Sequence, residues 1–195
     1  MSGGKRLKRD GGRNLYDWVG TVAAVALTAV IIFTFAVRLV LVDGPSMRET
    51  LQHGDCLAVL NAPLCGMPEA GDIVILRKES FREGAPIVKR VIATEGQTVD
   101  IDFDAGTVFV DGELLEEEYV RAPTYLEEGL TFPVTVPEGH VFVLGDNRND
   151  SDDSRDPELG PVDTRYLLGR AVLLLFPGET ADTGERDLGR IGPLN

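Results

Sequence analysis

An uncharged run of nineteen residues, VGTVAAVALTAVIIFTFAV at positions 19–37, constrains this chain more than any other feature. At about 1.5 Å rise per residue, a helix of that length reaches roughly 28 Å, close to the hydrocarbon thickness of a bilayer. It has no polar stripe and its flanks are charged, so it fits poorly as a helix lying on a protein core. Tyr16 and Trp18 stand at its start, where amphipathic rings suit the lipid–water boundary. Residues 1–17 hold five basic side chains (Lys5, Arg6, Lys8, Arg9, Arg13) against Asp10 and Asp17, a bias that keeps this end cytoplasmic. A cleaved leader would have a shorter apolar core followed by a small-x-small site. Here Arg38 and the apolar LVLV follow instead. The reading is an uncleaved, single-pass anchor over residues 18–38 in the cell membrane, with the remainder on the outer side.

That remainder is acidic. The formal net charge is −13, and the basic start contributes about +3 of it, so the rest of the chain carries about −16. Such a body repels phosphates, which excludes nucleic acid as a partner, and it has no electrostatic pull toward anionic lipid. Cys56 and Cys65 are too few for a disulfide scaffold and are read as free thiols, although a bridge between them is conceivable in an oxidising compartment. No His/Cys cluster has metal-ligand spacing, and neither a metal nor a cofactor is expected.

From residue 39 onward, short apolar runs alternate with Gly, Pro and Asp punctuation, the pattern of a mainly β domain. Strands are expected at 56–60, 72–76, 87–94, 98–102, 107–110, 113–115, 140–144 and 171–176. Asp111-Gly112 between TVFV and ELL predicts a type I′ hairpin. MRETLQHGD, residues 47–55, suggests a short helical turn. The domain is read as residues 39–177 with a less regular extension around 103–138. Residues 178–195 read as a polar, loosely held tail.

Three segments carry chemistry. Ser46 lies in VDGPSMRETL, where Gly44 and Pro45 fix the backbone before it. On local grounds this serine could be an N-cap, with Glu49 at capping-box spacing. A serine nucleophile needs a positioned base. Lys89, in APIVKRVIATEG, shares a strand face with Ile87, Val91 and Ala93. Read alone, it could be a lysine blunting a sheet edge. If buried, its charged form is disfavoured and it becomes a base. The third segment, GDNRNDSDDSRDP, follows the apolar strand VFVL and is dense in side chains that tie a loop to its own backbone.

In this order behind an N-terminal anchor, GPSMRETL, GDIVIL with VKRVIATEG, and GHVFVLGDNRNDSDDSR resemble the three signature segments of the bacterial type I signal peptidases. The likeness runs from the anchor to about residue 176 and matches the compact, single-anchor form. It implies antiparallel sheets in a partly open β-barrel. It implies a Ser/Lys endopeptidase that removes signal peptides from exported preproteins with small residues at −1 and −3, acting as a monomer. By the same resemblance Ser46 is the nucleophile and Lys89 the general base. Ser151 falls where a hydroxyl orients the lysine, Asp153 and Arg155 form a supporting ion pair, and Arg90 joins that network. Val42, Met47, Leu51 and Val88, beside these groups, are expected to line the substrate pockets. Two departures stand out: Gly44 replaces a serine that gives some relatives an oxyanion-hole hydroxyl, and Glu49 replaces a proline common in the family. Two rivals are a Ser/Lys protease of the same fold that cuts only itself, and an inactive β-module that binds exported chains. A catalytic histidine, His53 or His140, is not expected.

Overall fold

In the computed structural model, residues 10–180 and 184–194 are described. Most of the basic N-terminal cluster, and residues 181–183 of the tail, lie outside them. The chain divides into two units, residues 1–37 and 38–195.

The first unit is helix α1, Asp10–Phe35. Its stretch from Tyr16 to Phe35 is long and apolar enough to cross a membrane, and none of it is buried against protein. Val25, Leu27, Val30 and Phe33 are all more than half exposed. A helix apolar all round and uncovered in water is stable only where lipid replaces the missing core.

The second unit is mainly β, as expected. Strands β1 (Val37–Leu41, beginning at the unit boundary), β2 (Cys56–Asn61), β3 (Ile73–Leu76), β4 (Ile87–Thr94), β9 (His140–Leu144), β10 (Val162–Asp163) and β11 (Leu167–Phe176) form the larger sheet. Their order is β1-β2-β11-β3-β4-β9-β10, an open, curled half-barrel, and β12 (Gly192–Pro193) adds to β11. A smaller sheet takes β5 (Thr98–Asp102), β6 (Thr107–Val110), β7 (Glu113–Leu114) and β8 (Val134–Thr135) in the order β7-β6-β5-β8. Asp111 and Gly112 take φ of 54° and 81°, the two positive values a type I′ turn demands, and Val110 pairs with Glu113 across it.

Both faces of the larger sheet are covered. In β3, Ile73 and Ile75 join one apolar cluster with Met47, Leu51, Leu57 and Leu174, while Val74 and Leu76 join a second with Ile87, Val91 and Val143. In β9, Val141 and Val143 face that second cluster and Phe142 and Leu144 a third, shared with Val99 and Val108 of the small sheet. Two-sided burial explains why these strands read as unbroken apolar runs rather than alternating ones.

Several expectations change. Helix α1 stops at Phe35, and residues 37 and 38, expected as the end of the anchor, open strand β1. Residues 47–55 form hydrogen-bonded turns and no helix, and Glu49 sits at φ +77°. A register shift between Val91 and Ala93 turns Ala93 away from the Ile87–Val91 face, so it packs in the third cluster with Ile92. Cys56 and Cys65 are free; they stand at opposite ends of β2 and the short helix α2 (Ala62–Cys65), too far apart to bridge. The tail is held. Gly178 N–H donates to Asp55 at 2.7 Å, and Arg190 grips the same carboxylate at 3.1 and 2.6 Å.

Candidate active site

Ser46 stands on a tight turn whose shape its neighbours fix. Gly44 takes φ +98°, open to glycine without strain. Arg48 N–H bonds back to Pro45 O at 3.0 Å and Leu51 N–H to Met47 O at 2.7 Å. Met47 and Leu51, 1% and 0% exposed, anchor the turn in the first core cluster. Glu49 takes φ +77°, a value that a proline ring locked near −65° cannot reach.

Lys89 comes to this turn from the middle of β4, where alternation puts it on the buried side with Ile87 and Val91. It is 1% exposed, and its Nζ lies 2.8 Å from Ser46 Oγ. The serine hydroxyl therefore meets the amine and not the backbone of a helix start, so the capping alternative falls away. Burial pushes the Lys89 amine down from 10.5 to about 8; Asp153 pulls in the opposite direction, and Arg82 adds a smaller downward push. A neutral amine here accepts the serine proton; a charged one donates back to the same oxygen.

The GDNR loop packs against the turn from the end of β9. Asn147 clamps it twice, its backbone N–H on Ser46 O at 3.0 Å and its side-chain amide on Pro45 O at 3.2 Å. Gly145 makes that approach possible. A Cβ there would lie 2.5 Å from Ser46 O and 2.1 Å from Ser151 Oγ, inside any tolerable contact. Asp153 is fully buried and accepts from Gly145 N–H and from the Ser151 hydroxyl, each at 2.9 Å. Arg155 meets it by two bonds, Nε to Oδ1 at 2.8 Å and Nη2 to Oδ2 at 2.9 Å. The Asp153–Arg155 pair is thus present. The Ser151 hydroxyl beside it donates to Asp153, and no bond joins its oxygen to the Lys89 amine, whose contact is Ser46 Oγ.

Arg90 does not join that pair. Strand alternation sends it to the opposite side of β4 from Lys89, where it forms a second buried, two-point pair with Asp146, at 2.9 and 2.8 Å. Thr50 bonds the same aspartate, and Tyr119 covers the guanidinium with its ring 4.0 Å away. The two ion pairs therefore hold one loop on both flanks of the nucleophile turn.

A groove opens at the dyad, lined by Val42, Ser46, Met47, Ile75, Val88 and Lys89 among others. Three of the four expected pocket residues are there. Leu51 is the correction: wholly buried, it props the turn from beneath and does not reach the groove. Neither histidine reaches Ser46. His53 accepts Gly44 N–H at 3.3 Å beside Asp43, and His140 bonds Glu138 O at 2.8 Å. Among the described residues no cluster of three or more His, Cys, Asp or Glu side chains is arranged to hold a metal. Asn147, Gly145 and Asp146 were not singled out from the sequence, though all stand inside the segment that was.

A serine hydroxyl on a buried lysine, carried by an antiparallel β unit, is the arrangement that a Ser/Lys hydrolase requires. Residues 15–176 match the family described as "Signal peptidase, peptidase S26", and the chain belongs to that family. It is 34% identical over 184 residues to the probable signal peptidase I-2 of Synechocystis sp., covering 89% of this chain and 80% of that one. To the signal peptidase I of Bacillus licheniformis it is 33% identical over 172 residues, covering 84% and 90%. A crystal structure of a signal peptidase I from Enterococcus faecalis V583, 33% identical, covers 54% of this chain and 97% of that chain with a TM-score of 0.44.

Proposed function

We propose that this chain is a membrane-anchored signal peptidase that cuts signal peptides from exported preproteins, with Ser46 as nucleophile and Lys89 as general base. Family membership supports the activity. The observation that carries the residue roles is the 2.8 Å contact between Ser46 Oγ and a lysine amine 1% exposed. Neutral Lys89 takes the hydroxyl proton as Ser46 Oγ attacks the scissile carbonyl. The resulting ammonium gives that proton to the leaving amine, and the acyl-enzyme ester forms. A water then loses a proton to Lys89 as it attacks the ester, and Lys89 returns that proton to the departing Ser46 Oγ, which restores the serine. Ser46 N–H is the first oxyanion donor, worth on the order of 3 kcal/mol in the transition state. Gly44 has no hydroxyl to add.

Ser151, Asp153 and Arg155 hold the lysine side of the site, and Arg90 with Asp146 holds the serine side. Val42, Met47 and Val88 put apolar side chains on the groove wall beside the dyad, which suits small side chains at −1 and −3. The basic N-terminus stays cytoplasmic, residues 18–38 carry the anchor function, and the β unit works on the outer side as a monomer. Enzyme and substrate then share one membrane, which raises their effective concentration. Mass spectrometry of a preprotein carrying A-x-A before its mature start tests the reading. A single cut after the second alanine is the expected result; no cut, or cutting confined to the enzyme's own chain, refutes it.

A further inference from the structure

The Asp153–Arg155 pair has a third member. Glu128 comes from the irregular stretch between β7 and β8 and places Oε1 2.9 Å from Arg155 Nη2, a contact of charge and distance without hydrogen-bond alignment. The protons of that nitrogen are already directed at Asp153 Oδ2 and Arg148 O, at 2.9 and 2.6 Å. Its other oxygen, Oε2, accepts Asp153 N–H at 3.2 Å. The Glu128 side chain is 12% exposed. The stretch around it is fastened to the same arginine, with Arg155 Nη1 on Leu126 O and Leu130 N–H on Arg155 O, at 2.8 and 2.9 Å. Glu128 therefore holds Asp153 by its backbone and Arg155 by its guanidinium.

The charges around it leave one negative unit in excess. Two carboxylates, Glu128 and Asp153, face one guanidinium. The other charged neighbours are Asp152 and Arg82, which pair with each other at 3.3 Å, and Lys89 itself. An ionised Glu128 favours the ammonium form of Lys89; an uncharged side chain there does not.

We propose that Glu128 is a positioning residue for Lys89, fixing Asp153 and Arg155 and setting the local charge against which the lysine gives up its proton. This rests on Lys89 being the base. Burial, with Asp153 beside it, raises the Glu128 carboxyl to about 7, so its charge changes just below the range in which Lys89 titrates.

The test is the pH profile of kcat/KM on a signal-peptide substrate, using the full chain in detergent, for E128Q and E128D. E128Q is expected to move the acid limb down by roughly 0.5 pH unit. That raises activity roughly 2.6-fold at pH 7 and about 1.5-fold at pH 8, while the alkaline plateau stays near the parent value. E128D, which keeps the charge, is expected to overlay the parent limb. Titration of Lys89 by NMR in a Ser46→Ala protein, with and without E128Q, reads the same shift without turnover. A limb and a lysine titration that do not move in E128Q overturn the proposal. So does an E128D limb displaced as far as that of E128Q, or an E128Q protein that fails to fold. Cleavage that persists in Ser46→Ala or Lys89→Ala refutes the dyad instead, a result independent of where the E128Q limb falls.

Discussion

At 1% exposure and with Ser46 Oγ as its neighbour, the Lys89 amine lacks the water that would solvate its charge. Its folded pKa is lowered to about 8 from 10.5. Between those values the unfolded chain holds a proton that the folded chain lacks, so stability rises with pH across that window and the penalty is complete below about 8. Lys89→Met is therefore expected to abolish cleavage yet stabilise the fold at pH 7 by up to about 3 kcal/mol, a gain that fades as pH climbs from 8 toward 10.5. Urea unfolding at pH 7 and pH 10 measures both halves; equal or lower stability of the variant at pH 7 would mean the lysine is not strained by burial. From the sequence alone Ser46 could have been a cap and Lys89 an edge residue. Strand periodicity placed Lys89 on an inner face, but the 2.8 Å contact with a residue 43 positions away lay beyond any local signal.

At the scale of elements, apolar runs and turn residues revealed β4, β5, β6 and β9 with their full extent, because both flanks of each are punctuated. β1 was hidden because its LVL continues the hydrophobicity of the anchor. β8, β10 and β12 have two residues each, too short for any pattern. The tail was misread for another reason. Its polarity suggested solvent, while Arg190 is committed to Asp55, 135 residues earlier and fully buried, and also to Thr50 O at 3.1 Å. That clasp braces the turn that carries Ser46. Arg190→Ala leaves a buried carboxylate without its cation and is expected to cost about 3 kcal/mol in urea unfolding, with a lower kcat and little change in KM. A loss under about 0.5 kcal/mol would show that the Gly178 and Gln52 N–H groups satisfy Asp55 unaided.

Over the whole molecule, the anchor and the catalytic unit answer different physical demands. From Tyr16 to Phe35, α1 is long and apolar enough to cross a membrane; the β unit buries three clusters of its own and keeps an acidic exterior. The class of protein was legible because three short segments, each weak alone, occur in one order behind that helix. What was not legible is how the loop at 145–155 divides its charges. Asp146 takes Arg90, Asp153 takes Arg155, and Arg148 takes Glu117 from the extension. Those pairings depend on which backbone segments the sheets bring together, and the acidic exterior offers many candidate partners to each arginine.

The central claim is that one serine and one lysine perform the cleavage. The direct measurement is the single-turnover rate on an A-x-A preprotein for the parent chain, Ser46→Ala and Lys89→Ala, each in detergent at pH 8 and each confirmed folded. The account predicts loss of roughly three orders of magnitude or more in both variants, with similar residual rates because the two groups act as a unit. Cleavage near the parent rate in either variant would contradict it.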